Sequence, residues 1–240
     1  MKVGIIQTRG IGDIIIAAPI AKYFIDRGHE VFWPIDSDFL EPFKYALPSI
    51  NFLSVDKNIV GGNTAEYFIE GPKKIINQLK CDVSHILYSH LTSYDFGQSH
   101  ICDAISFDAY KYAICGVPFY EKWNLKVIRN PIREAALFTH LGLSPRDQYV
   151  VHHEQGSIYN FNFDQISNQL YGKVRVIKLT PITNNFFDWL GVLENSNGFF
   201  TVNSAYSNLV DQLGFDVNKY LKCQTPAQWT PVFKNKWNYL

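Results

Sequence analysis

Short apolar runs alternate with helix-like stretches along the chain, and the first pair shows the pattern most clearly. Residues 3–6 are apolar, rich in β-branched side chains and too few for a helix, so they predict a buried strand. Apolar residues then recur at helical spacing over residues 14–25, and Gly28 ends the run. The turn between them, Arg9-Gly10-Ile11-Gly12-Asp13, places an acid at the carboxyl end of a strand and the mouth of a helix. Open α/β sheets bind their ligands at this edge.

The same alternation continues to the end of the chain and predicts its fold class. Strand-like runs lie at 30–35, 50–55, 83–88, 148–152, 174–179 and 198–202. Helix-like stretches lie at 64–79, 101–115, 163–171, 184–193 and 204–213, and a short one follows the second strand and runs through Phe43. Strands that alternate with helices indicate parallel sheets with helices on both faces. Because the pattern starts again near Pro145, we expect two doubly wound, Rossmann-like domains, at 1–144 and 145–222, and an aromatic tail at 223–240 that packs back on them.

Charge and cysteine content narrow the class of protein. The formal net charge is zero, with 22 basic and 22 acidic side chains, which argues against a strongly basic surface for nucleic acid but leaves a local patch open. The four cysteines are scattered, without a C-x-x-C pair, and indicate reduced thiols. No apolar run approaches the roughly 18 residues of a membrane span, and the chain opens with a strand and not a signal peptide. We therefore expect a soluble, cytoplasmic protein.

Asp13 has two interpretations from its position alone. As a general base it would accept the proton of an acceptor hydroxyl. As a helix cap it would accept hydrogen bonds from the free N–H groups of the first turn. A dinucleotide site is disfavoured: Gly10 and Gly12 supply two glycines of G-x-G-x-x-G, but Ile15 stands where the third should be, and Asp13 would repel the pyrophosphate.

Three segments together resemble the ADP-heptose:lipopolysaccharide heptosyltransferase family, whose members have the GT-B fold. They are Gly-Asp-Ile-Ile-Ile-Ala-Ala-Pro-Ile at 12–20, the strand 148–153 with the Gly156-Ser157 loop, and Phe-Thr-Val-Asn-Ser-Ala-Tyr-Ser-Asn-Leu at 200–209. The family usually has Asp-Thr-Gly and a later His in the third segment. Here Asn203, Ser204 and Ala205 replace the first three, and Asn208 replaces the His.

The resemblance implies a GT-B-like arrangement, with the two domains facing across a cleft, and a glycosyltransferase activity. A sugar would move from a nucleotide-diphosphate donor to a hydroxyl acceptor, with Asp13 as the general base. No metal or other cofactor is expected to be required, because helix N-termini and polar side chains would stabilise the departing diphosphate.

Residues 202–208 are the best candidate for the donor site, because a strand that ends in small polar residues before a helix presents N–H groups to phosphate. Ser204 and Ser207 would add hydroxyl donors, although Asn and Ser are also preferred helix caps. The loop at Gly156 would add a second phosphate contact, and the end of the next strand would hold the base or ribose. The predicted donor residues are Gly12, Gln155, Gly156, Ser157, Lys178, Thr180, Pro181, Asn203, Ser204, Ala205, Ser207 and Asn208.

Other polar residues near strand ends complete the candidate site. His90 and His100 flank a polar loop after the fourth strand and, with Arg9 and Gly10, are predicted on the acceptor side. His152 and His153 end a strand, so alternation sends one inward and one towards the cleft. The D-x-D pair at 36–38 resembles the metal site of GT-A glycosyltransferases. It follows a strand directly and no other acid-rich cluster supports it, so we predict a helix cap and no metal site.

Two alternatives remain open from the sequence. A phage-type DNA glycosyltransferase that acts on hydroxymethylated bases would need phosphate contacts from local basic residues. The candidates for these contacts are Lys73, Lys74, Lys111, Lys122, Lys234 and Lys236. A catalytically degenerate nucleotide-binding module is the second alternative, because the fold alone does not imply chemistry. The changed residues at 203–208 favour it, and the presence of Asp13 argues against it.

Overall fold

The computed structural model describes residues 1–56, 66–88, 105–156, 159–223, 225 and 229–240. The chain divides into two compact units. The first contains Met1–Val127 and Ala227–Val232, and the second contains Ile128–Pro226 and Phe233–Leu240. Each unit is built around its own parallel sheet.

The sheet of the first unit has the strand order β3-β2-β1-β4, with all pairs parallel. Its strands are β1 (Lys2–Ile6), β2 (Glu30–Asp36), β3 (Asn51–Val55) and β4 (Val83–Ile86). The chain builds β2 and β3 on one side of β1 and then crosses to place β4 on the other. The carboxyl ends of β1 and β4 therefore border the topological switch point, where doubly wound sheets bind ligands.

The helices of the first unit cover this sheet. They are α1 (Ile11–Ile25), α2 (Leu40–Ala46), α3 (Gly71–Gln78) and α4 (Phe107–Ile114), with a π-helical turn at Glu66–Glu70 and 3₁₀ helices at Ser37–Phe39 and Phe119–Asn124. Every residue of α1 from Ile14 to Ala21 is buried, so its middle lies in the core and not on an amphipathic surface. Gly4 of β1 lets α3 approach, since a Cβ there would lie 2.5 Å from Ile76 Cγ2.

The sheet of the second unit has the order β6-β5-β7-β8-β9, again with parallel pairs. Its strands are β5 (Tyr149–His153), β6 (Arg175–Lys178), β7 (Gly198–Val202), β8 (Asn218–Lys222) and β9 (Asn238–Tyr239). The helices are α5 (Pro131–His140), α6 (Asp164–Tyr171), α7 (Leu190–Glu194) and α8 (Ala205–Gln212), with a 3₁₀ helix at Phe186–Trp189 before α7. The carboxyl ends of β5 and β7 flank the switch point of this sheet.

The predicted strands are all present within a residue or two, and the α/β class with parallel sheets is confirmed. Helix α5, the 3₁₀ helix at Phe119–Asn124 and strands β8 and β9 were not predicted. Helix α5 lies before the restart predicted at Pro145 but belongs to the second unit, where Arg133 forms an ion pair of 2.7 Å with Asp188.

The cap predicted at the D-x-D pair is confirmed, because Asp38 N donates to Asp36 Oδ1 at 2.9 Å. Of the four cysteines, Cys81, Cys115 and Cys223 are described, and all three are free thiols.

In the described parts of the chain, no helix combines the length and the apolar character needed to cross a bilayer.

Candidate functional site

In the first unit, Asp13 lies at the start of α1 and forms an ion pair with Lys111 of α4. Lys111 Nζ is 3.0 Å from Asp13 Oδ1. The lysine side chain is 2% exposed and the aspartate side chain is 35% exposed, so the carboxylate alone reaches solvent. A buried ammonium thus holds an accessible carboxylate at the switch point of the sheet.

Lys111 is fixed by two further acceptors. Its Nζ donates to Gln7 Oε1 at 2.8 Å and to the carbonyl oxygen of Leu87 at 2.9 Å. Gln7 Nε2 in turn donates to the carbonyl oxygen of Arg9 at 2.8 Å. Gln7 follows β1 and Leu87 follows β4, so the ammonium is bound at the carboxyl ends of both strands. All three hydrogen atoms of the ammonium therefore have an acceptor in the Asp13 network.

The turn before α1 is shaped around the Asp13 carboxylate. Gly10 has φ of +90°, and a Cβ there would lie 2.5 Å from Asp13 Oδ2. The structure pairs the other carboxylate oxygen, Asp13 Oδ1, with Lys111 Nζ, an interaction that the capping interpretation does not predict.

Tyr88, which directly follows β4, orders the same turn. Its hydroxyl accepts hydrogen bonds from Thr8 N at 2.8 Å and from Arg9 N at 3.2 Å. Burial raises the pKa of Tyr88 to about 12, so the phenol stays neutral. Beside it, Tyr67 donates a short hydrogen bond to Asp36, and burial together with that carboxylate raises the pKa of Tyr67. Hydrogen bonds to the Tyr88 hydroxyl therefore hold the backbone of the turn that carries Asp13.

In the second unit, the loops after β5 and β7 meet at the predicted donor segment. A Cβ at Gly156 would lie 3.3 Å from Val202 Cγ2 and 3.8 Å from the carbonyl oxygen of Asn203. Asn203 N also donates to the Tyr159 hydroxyl at 3.4 Å. The structure therefore brings Gly156 and Asn203 together, as the sequence predicted for two parts of one phosphate site.

The hydroxyls of Ser204 and Ser207 accept hydrogen bonds from backbone N–H groups at the start of α8. Ser207 N donates to Ser204 Oγ at 3.3 Å, and Ser204 N donates to Ser207 Oγ at 3.0 Å, which forms a capping box. Asn208 Nδ2 donates to the carbonyl oxygen of Ser204 at 2.9 Å. The N–H groups that an α-helix leaves unpaired at its start are then those of Ala205 and Tyr206. The serine hydroxyls are thus hydrogen-bonded within the first turn of α8.

Lys178 lies at the end of β6, where the sequence placed it, but its ammonium is already paired. Lys178 Nζ is 2.5 Å from Glu154 Oε1 and 2.9 Å from Asp164 Oδ1. These acids were not recognised from the sequence, because Glu154 follows β5, Asp164 begins α6, and the two meet Lys178 of β6 only in the folded unit. The charge of Lys178 is therefore largely neutralised by its own neighbours.

The two histidines at the end of β5 separate as alternation predicted. His152 is buried against the rings of Phe163 and Phe200, with ring centroids 5.8 and 5.2 Å away. His153 faces α8, with Nδ1 at 3.4 Å from Thr201 Oγ1 and its ring 5.1 Å from that of Tyr206. Burial lowers the pKa of His153 to about 4, so the imidazole is neutral at neutral pH.

The remaining predicted residues fall into two groups. Gln155 forms an isolated β-bridge with Asn160. After β6, both Thr180 and Pro181 are exposed. Arg9 is exposed beside Gly10, and Gly12 is half-buried in the first turn of α1. Ser157, His90 and His100 lie outside the described residues.

The whole chain superposes on solved glycosyltransferase structures. The glycosyl transferase family 9 protein from Veillonella parvula DSM 2008 matches with a TM-score of 0.67 at 12% identity, covering 100% of this chain and 86% of that one. E. coli ADP-heptose lps heptosyltransferase II matches with a TM-score of 0.58 at 10% identity, covering 100% and 90%. E. coli heptosyltransferase WaaC with ADP-2-deoxy-2-fluoro heptose matches with a TM-score of 0.54 at 10% identity, covering 100% and 93%.

The chain has the fold of these glycosyltransferases. This confirms the resemblance to heptosyltransferases that the three sequence segments carry. Comparisons with protein-family models and with curated protein sequences found no match. At 10–12% identity the similarity is one of fold, so chemistry must be argued from the residues of this chain.

Proposed function

We propose that this chain is a glycosyltransferase that moves a sugar from a nucleotide-diphosphate donor to a hydroxyl acceptor, with Asp13 as the general base. The observation that carries the proposal is the accessible Asp13 carboxylate, held by buried Lys111 at the switch point of the first sheet. The fold supports it, since a similar structure is a heptosyltransferase with an ADP-sugar analogue. As in GT-B enzymes, the two units would face each other across a cleft, with the donor bound to the second.

The reaction needs one proton acceptor and one site for the leaving group. The acceptor oxygen attacks the anomeric carbon of the donor as its proton passes to Asp13, and the bond to the diphosphate breaks with its electron pair on the phosphate oxygen. Gly156 and the free N–H groups at the start of α8 bind that diphosphate, with help from the helix dipole. Metal is not required for this charge stabilisation in our proposal.

The DNA-glycosyltransferase alternative loses two of its predicted phosphate contacts. Lys111 is buried in the Asp13 network, and Lys122 is paired with Asp108 at 2.7 Å with both side chains 0% exposed. A third, Lys74, is paired with Glu66 at the surface, and its side chain stays 67% exposed. Phosphate contacts require accessible cations, so a small or glycan hydroxyl acceptor fits these residues better.

The proposal is tested by donor binding and donor hydrolysis, which need no knowledge of the acceptor. We expect one nucleoside diphosphate, and the corresponding nucleotide sugar, to raise the melting temperature with or without magnesium. Ligand at about 100 times its Kd stabilises by about 2.7 kcal/mol. Asp13→Asn should keep this shift and lose about 10²- to 10⁴-fold of the slow hydrolysis of the sugar donor.

Asp26→Asn is the matched control, because Asp26 is an exposed acid at the other end of α1, paired only with Lys22 among the residues described. It should retain both binding and hydrolysis. A binding protein without transfer chemistry would show the thermal shift and no hydrolysis in any variant. Hydrolysis that survives Asp13→Asn would contradict the role of Asp13.

A further inference from the structure

His152 is a buried imidazole whose hydrogen-bonding needs are not met inside the protein. Its residue is 1% exposed, and among the residues that the structure describes neither Nδ1 nor Nε2 has a hydrogen-bond partner. Buried polar atoms normally have one, since a polar group left unpaired away from water destabilises the folded protein. The ring is therefore placed to bind something that the side chains around it do not supply.

The Nδ1 atom of His152 points at two carboxylates. It lies 3.6 Å from Glu154 Oε1 and 3.5 Å from Asp164 Oδ1, too far for good hydrogen bonds. Ligand atoms that surround a metal tetrahedrally at about 2.1 Å lie about 3.4 Å apart. One ligand atom from each of the three residues lies within 4.8 Å of the others. We propose that His152, Glu154 and Asp164 bind one divalent transition-metal ion.

The ligand chemistry selects the class of ion. An imidazole with two carboxylates suits Zn²⁺, Co²⁺, Fe²⁺ or Mn²⁺, whereas Mg²⁺ and Ca²⁺ prefer oxygen ligands alone. Hydrogen bonds from neighbouring residues also orient the two carboxylates. Phe163 N donates to Glu154 Oε1 at 3.2 Å, and Asn162 Nδ2 donates to Asp164 Oδ2 at 3.2 Å. Such outer hydrogen bonds hold metal ligands in place.

Lys178 is the internal competitor for this site. Its ammonium bridges the same oxygen atoms, Glu154 Oε1 and Asp164 Oδ1, that a metal would take. The lysine side chain is 41% exposed, so it can swing into solvent when an ion arrives.

The test is a titration of the purified full chain at pH 7 with Zn²⁺ by calorimetry and with Co²⁺ by visible absorption. We expect one ion per chain. Lys178→Met should bind at least tenfold more tightly, because the competing cation is gone. Asp164→Asn and His152→Phe should bind at least tenfold more weakly, and exposed Asp216→Asn, in the same unit, should match the unchanged protein.

Asp164 is half exposed, so its substitution does not threaten the fold, and circular dichroism checks each variant. Absence of binding by the unchanged protein overturns the site. So does binding that Asp164→Asn leaves as tight as before, or that Lys178→Met fails to tighten, because the ion would then lie elsewhere. None of these measurements uses sugar transfer, so they stand apart from the proposed function.

Discussion

The Asp13 carboxylate occupies the space that a side chain at Gly10 would need. A Cβ on Gly10 would lie 2.5 Å from Asp13 Oδ2, and the residue has φ of +90°. Both the backbone conformation and the close approach therefore require glycine. The position of the proposed base is set by the turn before it as much as by Lys111.

Gly10→Ala should lower donor hydrolysis by about 100-fold, because a displacement of about 1 Å at a reacting group can cost this much. Gly28→Ala is the control: Gly28 also has positive φ, at +78°, but a Cβ there meets nothing within 4 Å. Both variants should lose about 1–2 kcal/mol of unfolding free energy for the left-handed conformation. Equal hydrolysis by the two variants would show that the Asp13 position does not matter.

Lys111→Met should reduce both stability and hydrolysis. The substitution leaves Gln7 Oε1 and the Leu87 carbonyl without their shared donor, at about 1–3 kcal/mol for each buried group left unpaired. It also frees the Asp13 carboxylate from its only described cation. Urea denaturation and the hydrolysis assay measure the two effects, with exposed Lys126→Met as the control. Unchanged hydrolysis in a folded Lys111→Met protein would remove Lys111 from the site.

Lys122→Met should be among the most destabilising single substitutions in the first unit. Lys122 and Asp108 are 0% exposed and 2.7 Å apart, and Asp108 Oδ2 also accepts from Val232 N at 2.8 Å. Removing one partner of a buried pair leaves an uncompensated charge, which costs about 3–5 kcal/mol. The double variant Asp108→Asn with Lys122→Met should recover part of the loss in urea denaturation, whereas an additive result would argue against this coupling.

Ser204→Ala should cost about 1 kcal/mol of unfolding free energy, the usual value of an N-cap. The substitution removes the acceptor for Ser207 N and breaks the capping box. Exposed Ser84→Ala in β4 is the comparison and should be neutral. A melting temperature that is the same for both variants would mean that α8 does not depend on its cap.

Stability should fall as the pH drops from 6.5 towards 4, partly because of His153. The folded protein binds a proton at His153 only near pH 4, whereas the unfolded chain binds one near the ordinary pKa of about 6.5. Between these values the unfolded state holds more protons, so this residue removes about 1.4 kcal/mol per pH unit as the pH falls. Urea denaturation at several pH values should show a smaller slope for His153→Gln than for the unchanged protein.

Local patterns predicted the sheets because β1 and β7 are continuous apolar runs, typical of strands buried on both faces. Strand β8, Asn-Lys-Tyr-Leu-Lys, alternates weakly, and β9 has only two residues, so neither gives a clear signal. Helix α5 did carry one, since Asn130 and Pro131 form a typical helix start, with Arg133 N donating to Asn130 Oδ1.

The candidate site was predictable only in part, for a physical reason. Asp13 lies in the first turn of the helix after β1, and Gly156 lies in the loop after β5, so topology places each at the carboxyl edge of its own sheet. The partners of Asp13 cannot be inferred in this way. Lys111 lies 104 positions from Gln7 and reaches the Asp13 network only because α4 packs on the sheet. In the same way, Glu154 after β5 and Asp164 at the start of α6 meet Lys178 of β6 only in the folded unit.

The route of the chain through the two units restricts how the protein can be dissected. It leaves the first unit after Val127, returns at Ala227 and enters the second again at Phe233. No single cut therefore yields an intact half. A fragment that ends at residue 127 would lack Val232, whose backbone N–H donates to buried Asp108. A fragment that starts at Ile128 and stops before β9 would expose the edge of β8. Expression of either half alone needs its last segment rejoined by a designed linker.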